Sequence, residues 1–168
     1  GMTAQWMGVT GSHANSVAPL LISTEQGYLK STFCKSLLPP ALQRYYMDKV
    51  DLTSQGHIER RLAEMGLLNL DEFDTLSPAR MQELKSLITQ DVMNERKVYD
   101  IQNYTFIRRA SFIASTNNPH CLPDIGENRR ILFNTLLEID YHTPVNHQGI
   151  YAQAYALYRQ GFQYWYEN

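Results

Sequence analysis

Apolar residues fall along the chain in short runs, and the spacing within them switches between strand-like and helix-like. "SVAPLLIS", residues 16–23, is a compact apolar run with Pro19 near its start and predicts a buried strand. "STFCKSLLP", residues 31–39, spaces Phe33, Leu37 and Leu38 as on a helix and is stopped by Pro39-Pro40. "ALQRYY" adds a helical turn ahead of the strand-like "YYMDKVDL". Residues 54–65 place Ile58, Leu62 and Met65 on one helical face. "GLLNLDEFD", 66–74, is a second buried strand ending abruptly in acids, and residues 77–90 start a helix with Ser77 as cap and Pro78 in the first turn. Residues 94–109 predict a hairpin turning near Asp100–Asn103. "ASFIASTNN", 110–118, and "NRRILFNTLLEI", 128–139, predict two more strands, and Gly149–Asn168 a tyrosine-rich helix. The aromatics of that helix read as one packed face, with a stacking surface for single-stranded nucleic acid as the alternative.

Buried strands separated by helices predict an α/β fold with a largely parallel sheet covered on both faces. In such folds ligands bind outside the carboxyl ends of the strands. Lys30, Asp71-Glu72 and Asn117 all follow apolar strands.

Composition narrows the class. With 168 residues, 43% hydrophobic and 19% charged, the chain suits one domain with a real core. No apolar run approaches the ~20 residues of a membrane span, and no signal peptide opens the chain. Cys34 and Cys121 have no C-x-x-C spacing, which argues against a zinc site or a disulfide framework and fits a reducing cytoplasm. A net charge of −2 leaves nucleic-acid contact to local groups such as Arg60-Arg61, Arg108-Arg109 and Arg129-Arg130. Gly1 reads as a cloning remnant, residues 2–168 as one unit, and the early first strand as the mark of a fragment of a longer protein.

"ISTEQGYLKST", residues 22–32, bears on chemistry. The pattern G-x-x-x-x-G-K-[ST] lets backbone N–H groups and a helix start cradle phosphates, with lysine on the outer phosphates and a hydroxyl on Mg²⁺. Lys30 and Ser31 fit its last positions; Thr24 and Leu29 replace its glycines, and Gly27 lies between them. Asp71 at a strand end can hold Mg²⁺ and Glu72 can orient or deprotonate a water. Asn117 can hydrogen-bond a γ-phosphate or that water, and an arginine of Arg129-Arg130 can stabilise a transferring phosphoryl group across a subunit boundary. Each has a plainer reading: a Ser-capped helix with a surface lysine, an acidic turn, an Asn-Asn-Pro turn, a basic pair. Their order along the chain favours an ATPase architecture.

The blocks "PLLIS…QGYLKSTFCKSLLPP", "YYMDK", "LLNLDEFDTL", "LKSLIT", "RRASFIASTNN" and "IGENRRILF" resemble the virulence-associated protein E family of P-loop ATPases. These are found on phages and other bacterial mobile elements and are relatives of superfamily-three helicases and primase-helicases. The resemblance implies a three-layer P-loop NTPase core of AAA+/helicase type with an inserted β-hairpin, and Mg·ATP hydrolysis coupled to DNA unwinding or remodelling in mobile-element replication. It implies ATP and Mg²⁺ as cofactors, DNA as partner, a homo-oligomeric ring and a primase domain or partner. It assigns Gly27, Lys30, Ser31 and Thr32 to nucleotide, Ser31 and Asp71 to metal, and Glu72, Asn117, Arg129 and Arg130 to catalysis. The hairpin of residues 94–109 would touch DNA through Arg96, Lys97 and Arg108, although Asp100 stands at its tip. Two glycines of the family's loop, "GxQGxGKST", are replaced by Thr24 and Leu29. The alternative is a non-hydrolysing interaction or assembly module of the same fold.

Overall fold

A computed structural model describes residues 1–10, 14–25, 27, 29–48, 50, 57–96, 103–120 and 130–165. A five-stranded sheet of β1 (Ala18–Ile22), β2 (Tyr46–Asp48), β3 (Leu67–Leu70), β6 (Ser111–Thr116) and β7 (Ile131–Thr135) runs in the order β2-β3-β6-β1-β7. Every pairing within it is parallel. The expected strand after Gly66 stops at Leu70, because Asp71 already opens a turn.

Side chains alternate across a strand, and both faces of this sheet are apolar. On one face Leu20, Leu68, Leu70 and Phe112 pack against α3 (His57–Glu64) through Ile58 and Leu62, and against α4 (Pro78–Thr89) through Leu84 and Ile88. On the other, Leu21, Leu67 and Ile113 meet Cys34 of α2 (Lys30–Ser36) and Leu38, with Trp6 of α1 (Met2–Trp6) beside them. The molecule is therefore layered helix, sheet, helix. All six residues of β6 are buried, as expected for a central strand covered twice.

Local signals set several boundaries. Ser77 caps α4, accepting from the Arg80 N–H at 3.4 Å with Pro78 in the first turn. Pro40–Tyr45 forms a 3₁₀ turn after the Pro-Pro stop. The expected hairpin is present as antiparallel strands β4 (Val92–Arg96) and β5 (Asn103–Ile107); its turn lies outside the described residues. The last helix, α5, spans His147–Arg159 rather than Gly149–Asn168. Asn146 caps its start and accepts from Gly149 N–H at 2.9 Å, and Gly161 at φ +70 lies just past its end. The expected packed face is present only in part: no residue of α5 is fully buried, but His147, Tyr151, Ala154, Leu157 and Tyr158 are half-buried at helical spacing, while Tyr155 is exposed. Tyr151 alone stacks on Trp6, with ring centroids 5.4 Å apart, and its hydroxyl donates to Leu37 O at 2.6 Å.

Candidate functional site

The carboxyl ends of the adjacent strands β1, β6 and β3 meet at one edge of the sheet. After β1, Ser23 continues the ladder, its N–H donating to Thr116 O at 3.3 Å. The chain then crosses the loop to α2, where Gly27 has φ +92 and Leu29 has φ 52, ψ 32. Leu29 thus holds the left-handed conformation that glycine adopts without strain. Leu29 O accepts from Phe33 N–H at 2.8 Å, so α2 starts directly behind this turn.

Lys30, the first residue of α2, folds back toward the strand ends and is only 9% exposed. Its ammonium donates to Ser23 Oγ and to Asn117 Oδ1, both at 2.5 Å. Burial lowers its pKa, and the charge of Asp71 opposes that shift. Ser31 and Asp71 lie side by side, with Ser31 Oγ donating to Asp71 Oδ2 at 3.2 Å. Ser115 Oγ donates to the other oxygen, Asp71 Oδ1, at 2.6 Å, and the Glu72 N–H reaches it at 3.2 Å. Glu72 follows at φ 52, ψ 46, with an exposed side chain at the rim, and Thr32 is exposed on α2. The structure thus brings Lys30, Ser31, Asp71, Glu72 and Asn117 to one place. An oxygen-only donor pair such as Ser31 and Asp71 suits a hard cation like Mg²⁺, which keeps several waters.

Ser23 and Ser115 also belong to this cluster and were not among the residues picked from the sequence. Their signal is positional: each is a small hydroxyl at the end of a buried strand. Beneath them Cys34 is fully buried, and burial, followed by the charges of Asp48 and Asp71, pushes its thiol up to about 12. It packs as an apolar group and is no nucleophile at neutral pH. At the end of β2, Asp48 accepts from Tyr46 hydroxyl at 2.5 Å and from Asn69 Nδ2 at 3.1 Å.

Residues 11–168 match the model of the virulence-associated protein E-like domain. The chain belongs to this family. Among solved structures, the VapE-like domain is similar to apo structures of the C-terminal region of NrS-1. One aligns with a TM-score of 0.56 at 18% identity over 91% of this chain and 39% of that one. Two A-form apo structures align with TM-scores of 0.53 and 0.51 at 17% and 20% identity, covering 91% and 96% of this chain. The domain spans 37–39% of the length of those chains. A comparison with curated protein sequences finds no significant match.

The remaining expected residues of the VapE-like domain lie elsewhere. Arg130 stands at the amino end of β7, its carbonyl accepting from Ala18 N–H at 2.8 Å. There it lines a cavity of about 780 Å³ with Pro19, Ser111 and Trp165, at the opposite end of the sheet from Lys30. Arg129 and Lys97 lie outside the described residues, as does the side chain of Arg96. The expectation that Arg108 touches DNA is corrected by its burial: it is 0% exposed. Its guanidinium donates to the carbonyls of Gln90, Ala110, Asn15 and Ile88 at 2.5–3.1 Å. Burial pushes its pKa down to about 10, so it stays charged at neutral pH while the fold occupies its donors. Its neighbour Arg109 donates to Trp6 O at 2.5 Å, and Arg60 pairs with Glu64 at 2.8 Å. No helix among the described residues is long and apolar enough to cross a membrane.

Proposed function

We propose that this VapE-like domain is a P-loop-type ATPase module with a role in replicating a mobile element. The observation that carries this reading is the convergence of Lys30, Ser31, Asp71 and Asn117 at three adjacent strand ends. In this reading Lys30 exchanges its bonds to Ser23 and Asn117 for oxygens of the outer phosphates. Ser31 and Asp71 hold Mg²⁺, directly or through its waters. Glu72 takes the proton of the attacking water, and Asn117 orients that water or the γ-phosphate. Gly27 and Thr32 complete the loop around the phosphates. Parallel strands rise ~3.3 Å per residue, so Arg130 stands roughly 17 Å from this cluster along the β1 direction. Arg130 is too far to serve its own site, and in this reading an arginine of the pair Arg129-Arg130 serves a neighbouring subunit's site in a ring. Coupling to DNA rests on the family resemblance, with Arg96 and Lys97 as the contacts.

The runner-up, a non-hydrolysing assembly module of the same fold, is favoured by one observation: the Leu29 side chain stands 44% exposed on the loop that would receive phosphate. Mg·ATP binding and turnover, compared among the wild-type chain, Lys30→Ala and Leu29→Gly, separates the two. The ATPase reading expects binding that Lys30→Ala abolishes. Binding that appears only in Leu29→Gly selects the runner-up, and binding indifferent to Lys30→Ala discards the loop assignment.

A further inference from the structure

The turn after β3 is fixed from both faces of the sheet by consecutive residues of β6. Ser115 and Thr116 alternate sides, as neighbours on a strand must. Ser115 Oγ donates to Asp71 Oδ1 and Thr116 Oγ1 to Asp74 Oδ1, each at 2.6 Å. Between these anchors Phe73 is driven into the core at 1% exposure, and Glu72 is left in the left-handed region at φ 52. Both the N–H and the hydroxyl of Thr75 donate to Glu72 O, at 2.9 and 2.8 Å, closing the turn behind it. The Thr116 hydroxyl has a second task, accepting from Asn118 N–H at 3.0 Å. One oxygen thus joins the turn that carries Glu72 to the turn that begins at Asn117.

We infer that Thr116 and Asp74 are positioning residues, clamping Glu72 and Asn117 into a fixed mutual geometry. The inference deepens the proposed function and rests on it. The left-handed backbone at Glu72 is disfavoured by about 1–2 kcal/mol in an L-residue, so it persists only where its surroundings impose it. A hydroxyl offers one donor and two acceptor positions. Thr116→Val therefore breaks both links at nearly constant shape, whereas Thr116→Ser preserves them. Asp74→Ala breaks the same clamp from its exposed side.

The test is steady-state ATP hydrolysis together with amide hydrogen exchange at Thr75 and Asn118 on the same proteins. The expected result for Thr116→Val and Asp74→Ala is a kcat reduced about 10- to 100-fold with KM for Mg·ATP within about threefold. The double variant is expected to lose little more than either single one. Thr116→Ser restores kcat to within about threefold of wild type. Exchange at Asn118 is expected to quicken roughly fivefold in Thr116→Val and not in Thr116→Ser. A kcat unchanged in both disrupting variants, or kcat and KM lost together, overturns the positioning role. Should Thr116→Val fail to fold, Asp74→Ala decides on the same criteria. A wild-type chain without turnover overturns the proposed function instead; unchanged exchange in both disrupting variants then overturns the clamp.

Discussion

Leu29 holds φ 52 next to Lys30, and two opposed effects decide what a glycine there would do. The left-handed conformation costs a β-carbon residue about 1–2 kcal/mol, which glycine recovers. Glycine also widens the unfolded ensemble by about 0.4–1 kcal/mol. Leu29 is 44% exposed, so little burial is lost. The expected outcome for Leu29→Gly is a gain of up to about 1 kcal/mol in urea unfolding, whereas Leu29→Ala, which keeps the β-carbon, stays within about 0.5 kcal/mol of wild type. Cys34, one turn along, gives a pH prediction. Its thiol pKa rises from 9.0 to about 12 on folding, so above pH 9.0 the unfolded chain releases a proton that the native one retains. Stability contributed by this thiol is complete below pH 9.0 and declines from there towards about 12. Lys30 acts in the opposite sense: burial lowers its pKa, so stability rises with pH as the native ammonium titrates below the ordinary lysine range. Comparison with Cys34→Ala isolates the thiol: between pH 8 and pH 10 wild type should lose roughly 1 kcal/mol relative to that variant, read from urea midpoints.

At the scale of elements, Arg108 joins the end of α4, the start of β6 and the segment at Asn15 through the four carbonyls it satisfies. Replacing it with methionine keeps most of the bulk but strands those buried acceptors. Arg108→Met is therefore expected to destabilise by about 3–5 kcal/mol. Arg108→Lys is expected to recover only part of this, because an ammonium lacks the planar fork of donors. Thermal unfolding checks both, and a variant stable within 1 kcal/mol of wild type would contradict the bracing role. This inward arginine shows where sequence reading stops. The strand ends were legible because buried apolar runs stop abruptly at Ser23, Asp71 and Asn117, and an apolar run is a local signal. The burial of Arg108 depends on carbonyls supplied by segments up to 93 residues away, which no local pattern encodes. The tyrosines of α5 divide for the same reason: Tyr151 and Tyr158 are half-buried and Tyr155 is exposed. Among the described residues, Tyr151 meets a ring from the body of the molecule, and Trp6, its partner, lies at the other end of the chain.

Across the whole molecule, the candidate site has no element of its own. Ser23 follows β1, Lys30 and Ser31 belong to α2, Asp71 to the turn after β3, and Ser115 and Asn117 to β6 and its end. A ligand held by all of them must find the sheet and α2 folded together, so its binding energy adds to global stability rather than to one loop. For a single site, free Mg·ATP at 100 times Kd adds about 2.7 kcal/mol. In a domain of this size a kilocalorie moves Tm by about 2–4 °C, so the expected shift is about 5–10 °C. Lys30→Ala should abolish the shift, because the ammonium between Ser23 and Asn117 is the group that would meet the outer phosphates. Asp71→Asn should behave differently. It leaves Lys30 in place and weakens the metal pair with Ser31, so the shift in Mg·ATP should shrink to that produced by ATP with the metal chelated. Differential scanning calorimetry of the three proteins, with and without chelator, measures all of this. Equal shifts in wild type and Asp71→Asn, in the presence of Mg²⁺, would remove Asp71 from the metal and leave its two oxygens to Ser31 and Ser115 as a purely structural link between α2 and β6.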